Sequence, residues 1–264
     1  DVHQKGLDIL RPYSVILTGT HPEYHSKQMY DAIYQYTQQG GRLMYLGANG
    51  FYWRIAYHQT KPGVLELRRA EDGTRTWEAQ SGEYFMSFTG EYGGMWRRQG
   101  NTAPQVLAGT GFTAQGFDLS SYYVRKPDSF SPRAPFIFKG IGKNEKIGDF
   151  GLIGGGAAGL EIDRLDRGQG SPPHTLLLAS SEGHTDSYRI VAEEIMATYP
   201  GTGGTENDWV RADMVYFETP NGGGVFSTSS IAWAGSLSHN NYDNNVSKIT
   251  GNVLDRFVNP KPLA

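Results

Sequence analysis

The sequence contains no cysteine among its 264 residues. This absence excludes disulfide bonds, thiolate metal ligands and a cysteine nucleophile, because each of them needs a thiol. No apolar run reaches the roughly 20 residues that a membrane-spanning helix requires, and no signal peptide is visible. Basic residues are not in surplus either, since the net charge is −3. We therefore expect a cytoplasmic protein whose partners include neither nucleic acid nor a membrane.

Glycine and aromatic residues are abundant, with 35 glycines and an aromatic fraction of 12%. Together they predict long, shaped loops and tight turns around a modest sheet. A hydrophobic content of 38% over this length allows one large domain with a real core. The chain begins at Asp1 without an initiator methionine. We expect it to be a processed or truncated piece of a longer protein.

The first fifty residues predict a βαβ unit. Residues 13–19 are typical of a buried strand, and Ser26 is a suitable N-cap for a helix over about 27–39. Gly40-Gly41 ends that helix, and residues 42–47 are typical of the next strand. A strand, a helix and a strand in so short a stretch imply that the two strands are parallel.

The rest of the chain alternates less regularly. From about 51 to 148 we expect an excursion from the sheet, with strand-like pieces at 64–68 and 74–78, that shapes a substrate pocket. Beyond it the pattern predicts strands at 149–153 and 175–179, a helix at 187–197, a hairpin of 212–219 and 223–230 around Pro220, and a helix at 246–258. The predicted fold class is α/β. It is a single domain over 1–264 with an open, mostly parallel sheet flanked by helices.

Residues that carry chemistry follow both strands of the βαβ unit. The loops after parallel strands leave the same edge of a sheet, so His21, Glu23 and Asn49 should meet there. The pair His21 and Glu23 suits a first-row metal such as iron, zinc or manganese. The alternative is a salt-bridged pair, or a Glu23 carboxylate at the positive end of the next helix. His25 fits an orienting role better than that of a ligand.

Asn49 occupies the strand-to-helix elbow where many α/β hydrolases hold a nucleophile. An asparagine is no nucleophile, but its amide can hold a substrate amide or carbonyl group by hydrogen bonds. The alternative is a turn residue in the left-handed conformation, which an Asn-Gly pair supports well.

The stretch Gly154–Asp166 is the second segment rich in candidates. It lacks a G-x-G-x-x-G pattern and a P-loop lysine, which argues against nucleotide binding. A glycine loop can instead let Glu161 reach a site as a general base. The alternative is that Glu161, Asp163, Arg164 and Asp166 form a surface ion network. Three isolated histidines are more typical of loop hydrogen bonding than of metal binding: His174, His184 and His239.

Three segments carry a resemblance to a known family. The runs LTGTHPEYHS at 17–26, GRLMYLGANGFYW at 41–53 and GAAGLEIDR at 156–164 resemble the large (beta) subunit of N,N-dimethylformamidase and its relatives. The resemblance covers essentially the whole chain, as the C-terminal catalytic domain of that subunit. It implies a fold like that of the class I glutamine amidotransferases, with the cysteine nucleophile replaced.

The resemblance also implies a mononuclear iron site, with the ion as Fe3+, held by one tyrosine, one histidine and one glutamate. The histidine and the glutamate fall on His21 and Glu23. Asn49 becomes a substrate-site residue and Glu161 the acid/base catalyst. The implied reaction is hydrolysis of a small amide, N,N-dimethylformamide, to dimethylamine and formate.

The tyrosine ligand of the family lies well before the His-x-Glu motif, whereas Tyr13 is the sole tyrosine ahead of His21. We therefore expect this ligand and the first strands to lie outside the chain. The implied partners are the rest of the large subunit and a small subunit in a hetero-oligomer. Two alternatives stay open: a carbohydrate-related enzyme on the same fold, which needs polar groups for sugar hydroxyls in 51–148, and a metal-free binding module. Aromatic residues in that excursion either line a pocket for N-methyl groups or form core under long loops.

Overall fold

The structure, a computed structural model, describes residues 1–69, 80, 82–192, 195–196 and 200–263. In chain order its strands are β1 (Val15–Leu17), β2 (Tyr24–Ser26), β3 (Arg42–Tyr45), β4 (Trp53–Tyr57), β5 (Leu65–Leu67), β6 (Gly111–Arg125), β7 (Ala158–Arg164), β8 (Leu176–Glu182), β9 (Arg189–Ala192), β10 (Ile195–Met196), β11 (Asp213–Thr219) and β12 (Gly223–Ser227). Its α-helices are α1 (Val2–Lys5), α2 (Lys27–Gln38), α3 (Pro104–Ala108), α4 (Trp233–Ser236) and α5 (Asn245–Val258).

Within the described residues, nine strands form the main sheet. The path runs β1-β3-β12-β11-β8-β6-β9-β10, and β7 pairs with β6 beside it. The pairs β1–β3 and β3–β12 are parallel, whereas the other pairs of this sheet are antiparallel. The α/β class is thus confirmed, but the sheet is mixed and not mostly parallel. Antiparallel pairing follows because this half of the chain reverses through turns instead of crossing over through helices.

The predicted βαβ unit is present as β1, α2 and β3. The first strand is shorter than the expected 13–19 and is not buried, because it ends the strand path and Leu17 is 49% exposed. Val15 lies opposite Arg42 in parallel register. Helix α2 begins after Ser26, whose Oγ accepts the backbone N–H of Met29 at 3.3 Å. It ends just before Gly40, which is left-handed at φ 93°.

Helices α2 and α5 cover opposite faces of the sheet. Met44 of β3 packs in the cluster that contains α5, whereas its neighbours Leu43 and Tyr45 pack in the cluster that contains Tyr30 of α2. Successive side chains of a strand point to opposite faces, which explains this division. The predicted apolar face of α5 is confirmed, and its members are fully buried: Val246, Ile249, Val253 and Phe257. No helix among the described residues has the length and apolar character that spanning a bilayer demands.

Two local predictions are wrong. Residues 149–153 form turns and no strand, and Leu152 is 81% exposed, because glycines on both sides favour turn conformations. The described part of 187–197 is β9 and β10, not a helix. Strand β9 pairs with β6 through Ile190 opposite Ala114, so the sheet edge offers hydrogen bonds to a segment that contains β-branched residues.

Several other predictions are confirmed. The hairpin around Pro220 is β11 and β12, β8 covers the strand expected at 175–179, and β5 lies within 64–68. The piece expected at 74–78 lies outside the described residues. The excursion expected over 51–148 contains β6, the longest strand of the main sheet, so that stretch does not leave the sheet throughout.

Candidate active site

The loops that follow β1 and β3 are in direct contact at the end of the parallel pair. Ala48 donates its backbone N–H to the carbonyl oxygen of Thr20 at 3.2 Å. A Cβ atom on Gly47 would lie 2.2 Å from the same oxygen, so only glycine allows this approach. The contact places the loop that carries His21 beside the elbow that carries Asn49. The predicted meeting of the two loops is therefore confirmed.

Glu161 reaches the same place from a strand, not from a flexible glycine loop as the sequence suggested. It lies in the middle of β7, opposite Gln115 of β6. The residue before it, Leu160, has a left-handed backbone at φ 62° and donates its N–H to the Tyr188 hydroxyl at 3.1 Å. A carboxylate on a strand paired with the sheet is held more rigidly than one on a loop.

One carboxylate oxygen of Glu161 contacts two of the other candidate residues, His21 and Asn49. Its Oε2 lies 2.9 Å from Nε2 of His21 and 3.0 Å from Nδ2 of Asn49. Nε2 of His21 is also 3.4 Å from Oε2 of Glu23. The hydrogen bond with Glu161 raises the pKa of His21, while partial burial opposes the rise. The four candidate residues thus form one contiguous cluster, in which His21, Glu23 and Glu161 can carry protons and Asn49 donates a hydrogen bond.

Beneath the cluster lies a third carboxyl group, Asp163, whose role the sequence did not indicate. It is fully buried and accepts hydrogen bonds from the backbone N–H of Asn49 and from the Tyr45 hydroxyl, both at 2.8 Å. Burial raises the pKa of Asp163 to about 7, although these two bonds pull it down. The alternative of a surface ion network is wrong for Asp163. The available signal was its spacing of two from Glu161, which puts both side chains on one face of a strand.

The strand-to-helix elbow expected at Asn49 is wrong, because residues 46–52 form a turn that leads from β3 to β4 and not to a helix. This turn, called the elbow below, combines both interpretations of the Asn49 side chain and backbone. Its backbone is left-handed at φ 48°, as a turn residue would be, and its side chain nevertheless points to Glu161. Phe51, two residues on, is also left-handed at φ 54°. Non-glycine residues in this region are uncommon and cluster at functional sites. Oδ1 of Asn49 is buried and has no hydrogen-bond partner among the described residues.

The remaining histidines lie outside this cluster. His25 is buried against the Phe51 ring at 4.5 Å, and burial lowers its pKa to about 4. His174 and His184 make hydrogen bonds, as predicted: His174 Nε2 with the carbonyl of Glu218 at 2.9 Å, and His184 Nε2 with Oγ of Ser181 at 2.7 Å. His239 instead stacks on Phe150, with ring centroids 4.1 Å apart.

Several aromatic residues of the excursion form core, whereas others are exposed, such as Phe117 at 66%. Tyr30 stacks on Trp96 with ring centroids 4.7 Å apart, and Tyr52 and Trp53 are at most 1% exposed. A cavity of about 650 Å³ lies between the N-terminal residues and β4, lined by His3 and Tyr57 among others, but it includes none of the site residues. The buried members of this set therefore form core under the loops, which is the second of the two interpretations given for them.

A metal ion would find donors of a suitable type here. His21 and Glu23 offer the imidazole and carboxylate that iron, zinc and manganese accept. Across the described ranges, no group of three or more His, Asp or Glu side chains is arranged to hold a metal ion. Nε2 of His21 is also bonded to Glu161, and one nitrogen atom cannot donate a hydrogen bond and bind a metal ion at once. The described residues thus offer an ion two donors of a suitable type, His21 and Glu23.

Comparison with known proteins finds relatives over nearly the whole chain. A family model described as N,N-dimethylformamidase beta subunit-like, C-terminal, matches residues 1–244. The N,N-dimethylformamidase beta subunit of Paracoccus aminophilus is 51% identical over 262 residues, which are 99% of this chain and 34% of that protein. The beta subunit from an Alcaligenes species is 50% identical over the same shares. The chain spans about a third of the length of these curated relatives.

Proposed function

This chain belongs to the N,N-dimethylformamidase beta subunit-like C-terminal family, and from that premise we propose that it carries the catalytic residues of an amide hydrolase. The substrate is a small N-substituted amide such as N,N-dimethylformamide, and the products are dimethylamine and formate. The observation that supports this most is the convergence of His21, Glu23 and Asn49 around the carboxylate of Glu161.

Glu161 is the general base and then the general acid. Its carboxylate takes a proton from a water molecule as the water oxygen bonds to the amide carbon. It returns that proton to the amide nitrogen as the carbon–nitrogen bond breaks, which releases the amine. A group that is half-buried and within hydrogen-bond reach of the reacting atoms suits this exchange.

His21 and Asn49 fix Glu161 for that task. Both donate to Oε2, while Oε1 receives no hydrogen bond from the part of the chain that the structure describes. Oε1 is therefore the oxygen that takes up the proton. Two donors on one oxygen also hold the carboxylate plane, which lowers the cost of orienting it during the reaction.

We also propose a mononuclear iron, as Fe3+, at His21 and Glu23, with a tyrosine ligand from protein outside residues 1–264. When bound, the ion supplies Lewis acidity that polarises the amide oxygen. An ion bound through Nε2 of His21 would replace the hydrogen bond to Glu161 and leave Asn49 alone to orient that carboxylate, whereas an ion bound through Nδ1 would leave the hydrogen bond in place. Metal analysis of the full-length subunit should find about one iron per site. Full activity in protein stripped of metal would contradict this part of the proposal.

The relatives are named as beta subunits, which suggests an enzyme of more than one kind of subunit. We propose that the chain works as part of a large subunit that pairs with a small subunit. We further propose that β1, β3 and β12 are the parallel part of a class I glutamine amidotransferase-like sheet. Co-purification of a second, smaller chain with the tagged large subunit tests the assembly.

The decisive experiment replaces Glu161 by Gln in the full-length enzyme. The amide keeps the size of the carboxylate but cannot take a proton, so kcat for dimethylamine release should fall by about 100- to 10,000-fold. Glu218→Gln is the matched control, because Glu218 is another half-buried carboxylate, ion-paired with Arg133 away from the site. Unchanged kcat in Glu161→Gln would remove the proposed base.

A further inference from the structure

A closed ring of hydrogen bonds holds the elbow from below. Asn49 donates its backbone N–H to Oδ1 of Asp163 at 2.8 Å, and Tyr45 donates its hydroxyl to Oδ2 at 2.8 Å. The backbone N–H of Gly50 completes the ring by donating to the Tyr45 hydroxyl oxygen at 2.7 Å. Two consecutive backbone N–H groups of the elbow are therefore bound by one buried carboxyl–phenol pair.

The ring is buried throughout. Asp163 and Tyr45 are 0% exposed, and Asn49 is 2% exposed. Burying a carboxyl group is costly unless its hydrogen bonds are made, and here both oxygens accept one. An apolar pair at these positions would avoid that cost, but it would leave the N–H groups of Asn49 and Gly50 without acceptors. What the pair adds is therefore a fixed position for the elbow backbone.

We propose that Asp163 and Tyr45 are positioning residues, which hold the left-handed elbow by its backbone N–H groups and so present the Asn49 side chain to Glu161. This inference rests on the proposed amide hydrolysis. Asparagine tolerates the left-handed backbone, and the ring fixes that backbone in the one position seen here. Without the ring, the Asn49 backbone is released and its amide leaves the Oε2 atom of Glu161.

The ring also prevents two backbone N–H groups of the elbow from stabilising an oxyanion. In hydrolases with a nucleophile elbow, a backbone N–H next to the nucleophile stabilises the oxyanion. In this chain the N–H groups of Asn49 and Gly50 already have acceptors. The elbow therefore acts through a side chain, and stabilisation of the oxyanion falls to other groups.

The test uses two variants of the full-length enzyme, Tyr45→Phe and Asp163→Asn. Each should lower kcat by about 10- to 100-fold, as expected when a reacting group is displaced by about 1 Å, with KM within about threefold. The double variant should be no worse than the poorer single one, because the two residues act as a unit. Matched controls are Tyr36→Phe, which loses a hydrogen bond to the Tyr13 carbonyl, and Asp213→Asn, which alters a buried acceptor of the Leu165 N–H. Both controls should keep wild-type kcat.

Hydrogen–deuterium exchange gives a readout that does not depend on turnover. In Tyr45→Phe and Asp163→Asn, the peptide covering residues 46–52 should exchange faster than in wild type, whereas in the two controls it should not. Wild-type exchange and wild-type kcat in both variants would overturn the inference. If the wild-type enzyme fails to hydrolyse the amide, the proposed function is wrong, and exchange alone still decides whether the ring holds the elbow.

Discussion

At the scale of single residues, the site is defined by which atoms are already bonded. His21 and Asn49 both donate hydrogen bonds to Oε2 of Glu161, and Asn49 uses its Nδ2 atom for this bond. Because an ionised carboxylate can only accept hydrogen bonds, the orientation of the Asn49 amide is fixed by its neighbour. Its buried Oδ1 is then the atom that lacks a partner among the described residues. Any further group that binds Asn49 there must be a donor, such as a water molecule.

Replacing Asn49 by Asp should shift the pH dependence of the reaction. A second carboxylate about 3 Å from Glu161 cannot donate to it, and like charges disfavour each other's ionised form. The acidic limb of the pH profile of kcat should therefore move to higher pH, with a lower maximum. Aspartate tolerates the left-handed backbone, so the turn is preserved. Asn221→Asp, at another left-handed asparagine, is the control; an unshifted profile for Asn49→Asp would contradict the contact.

A buried histidine outside the cluster of His21, Glu23, Asn49 and Glu161 makes the fold sensitive to acid. Burial lowers the pKa of His184 to about 4, against 6.5 in the unfolded chain. Between these values the unfolded state binds a proton that the folded state does not, so the free energy of unfolding falls as pH falls. The loss is at most about 1.4 kcal/mol per pH unit. We expect the free energy of unfolding, measured with urea, to fall less between pH 7 and pH 5 in His184→Asn than in wild type. Above pH 7 the free energies of unfolding of the two proteins should differ by a constant amount. If the free energies of unfolding of the two proteins fell in parallel below pH 6, His184 would not be the cause of the acid sensitivity.

At the scale of elements, the site depends on how closely two loops approach. Gly47→Ala puts a methyl group against the Thr20 carbonyl, where a Cβ atom has only 2.2 Å. Because the obstacle is backbone, the loops must separate, and both kcat and stability should fall. Gly251 in α5 is the matched control, since a Cβ atom there meets nothing within 4 Å. Gly251→Ala should stabilise the protein by about 0.5–1 kcal/mol through helix propensity. Equal effects of the two substitutions on thermal unfolding would refute the steric argument.

The same scale shows which parts of the fold the sequence predicts. The βαβ unit, the hairpin at Pro220 and α5 were predicted correctly because caps, turns and periodicity are local signals. The helix expected at 187–197 was wrong because pairing with β6 decides its described part, and no local pattern contains that edge. The cluster of His21, Glu23 and Asn49 followed from strand direction alone. The pairing of Tyr45 with Asp163 beneath this cluster could not be predicted from the sequence, because the two residues are 118 positions apart.

At the scale of the whole molecule, stability depends on the layer between α5 and the main sheet. Ile249 is fully buried in that layer. Ile249→Ala should therefore lower the free energy of unfolding by about 2–5 kcal/mol through lost transfer energy and a residual cavity. Val258→Ala at the exposed end of the same helix should change it by about 0.5 kcal/mol at most. Denaturant titration of the full-length protein measures both, and a small effect at Ile249 would mean that the layer can collapse around the gap.

The bonds between the elbow and β7 also say when a refolding chain becomes active. They join residues 112 to 118 positions apart in the sequence. Contacts of such separation need large loops to close, and they form late and slowly compared with helices and hairpins. Helix α2 and the β11–β12 hairpin can therefore regain their native signal while Glu161 is still distant from Asn49. Recovery of turnover should lag behind recovery of circular dichroism, so catalysis reports the last step of folding.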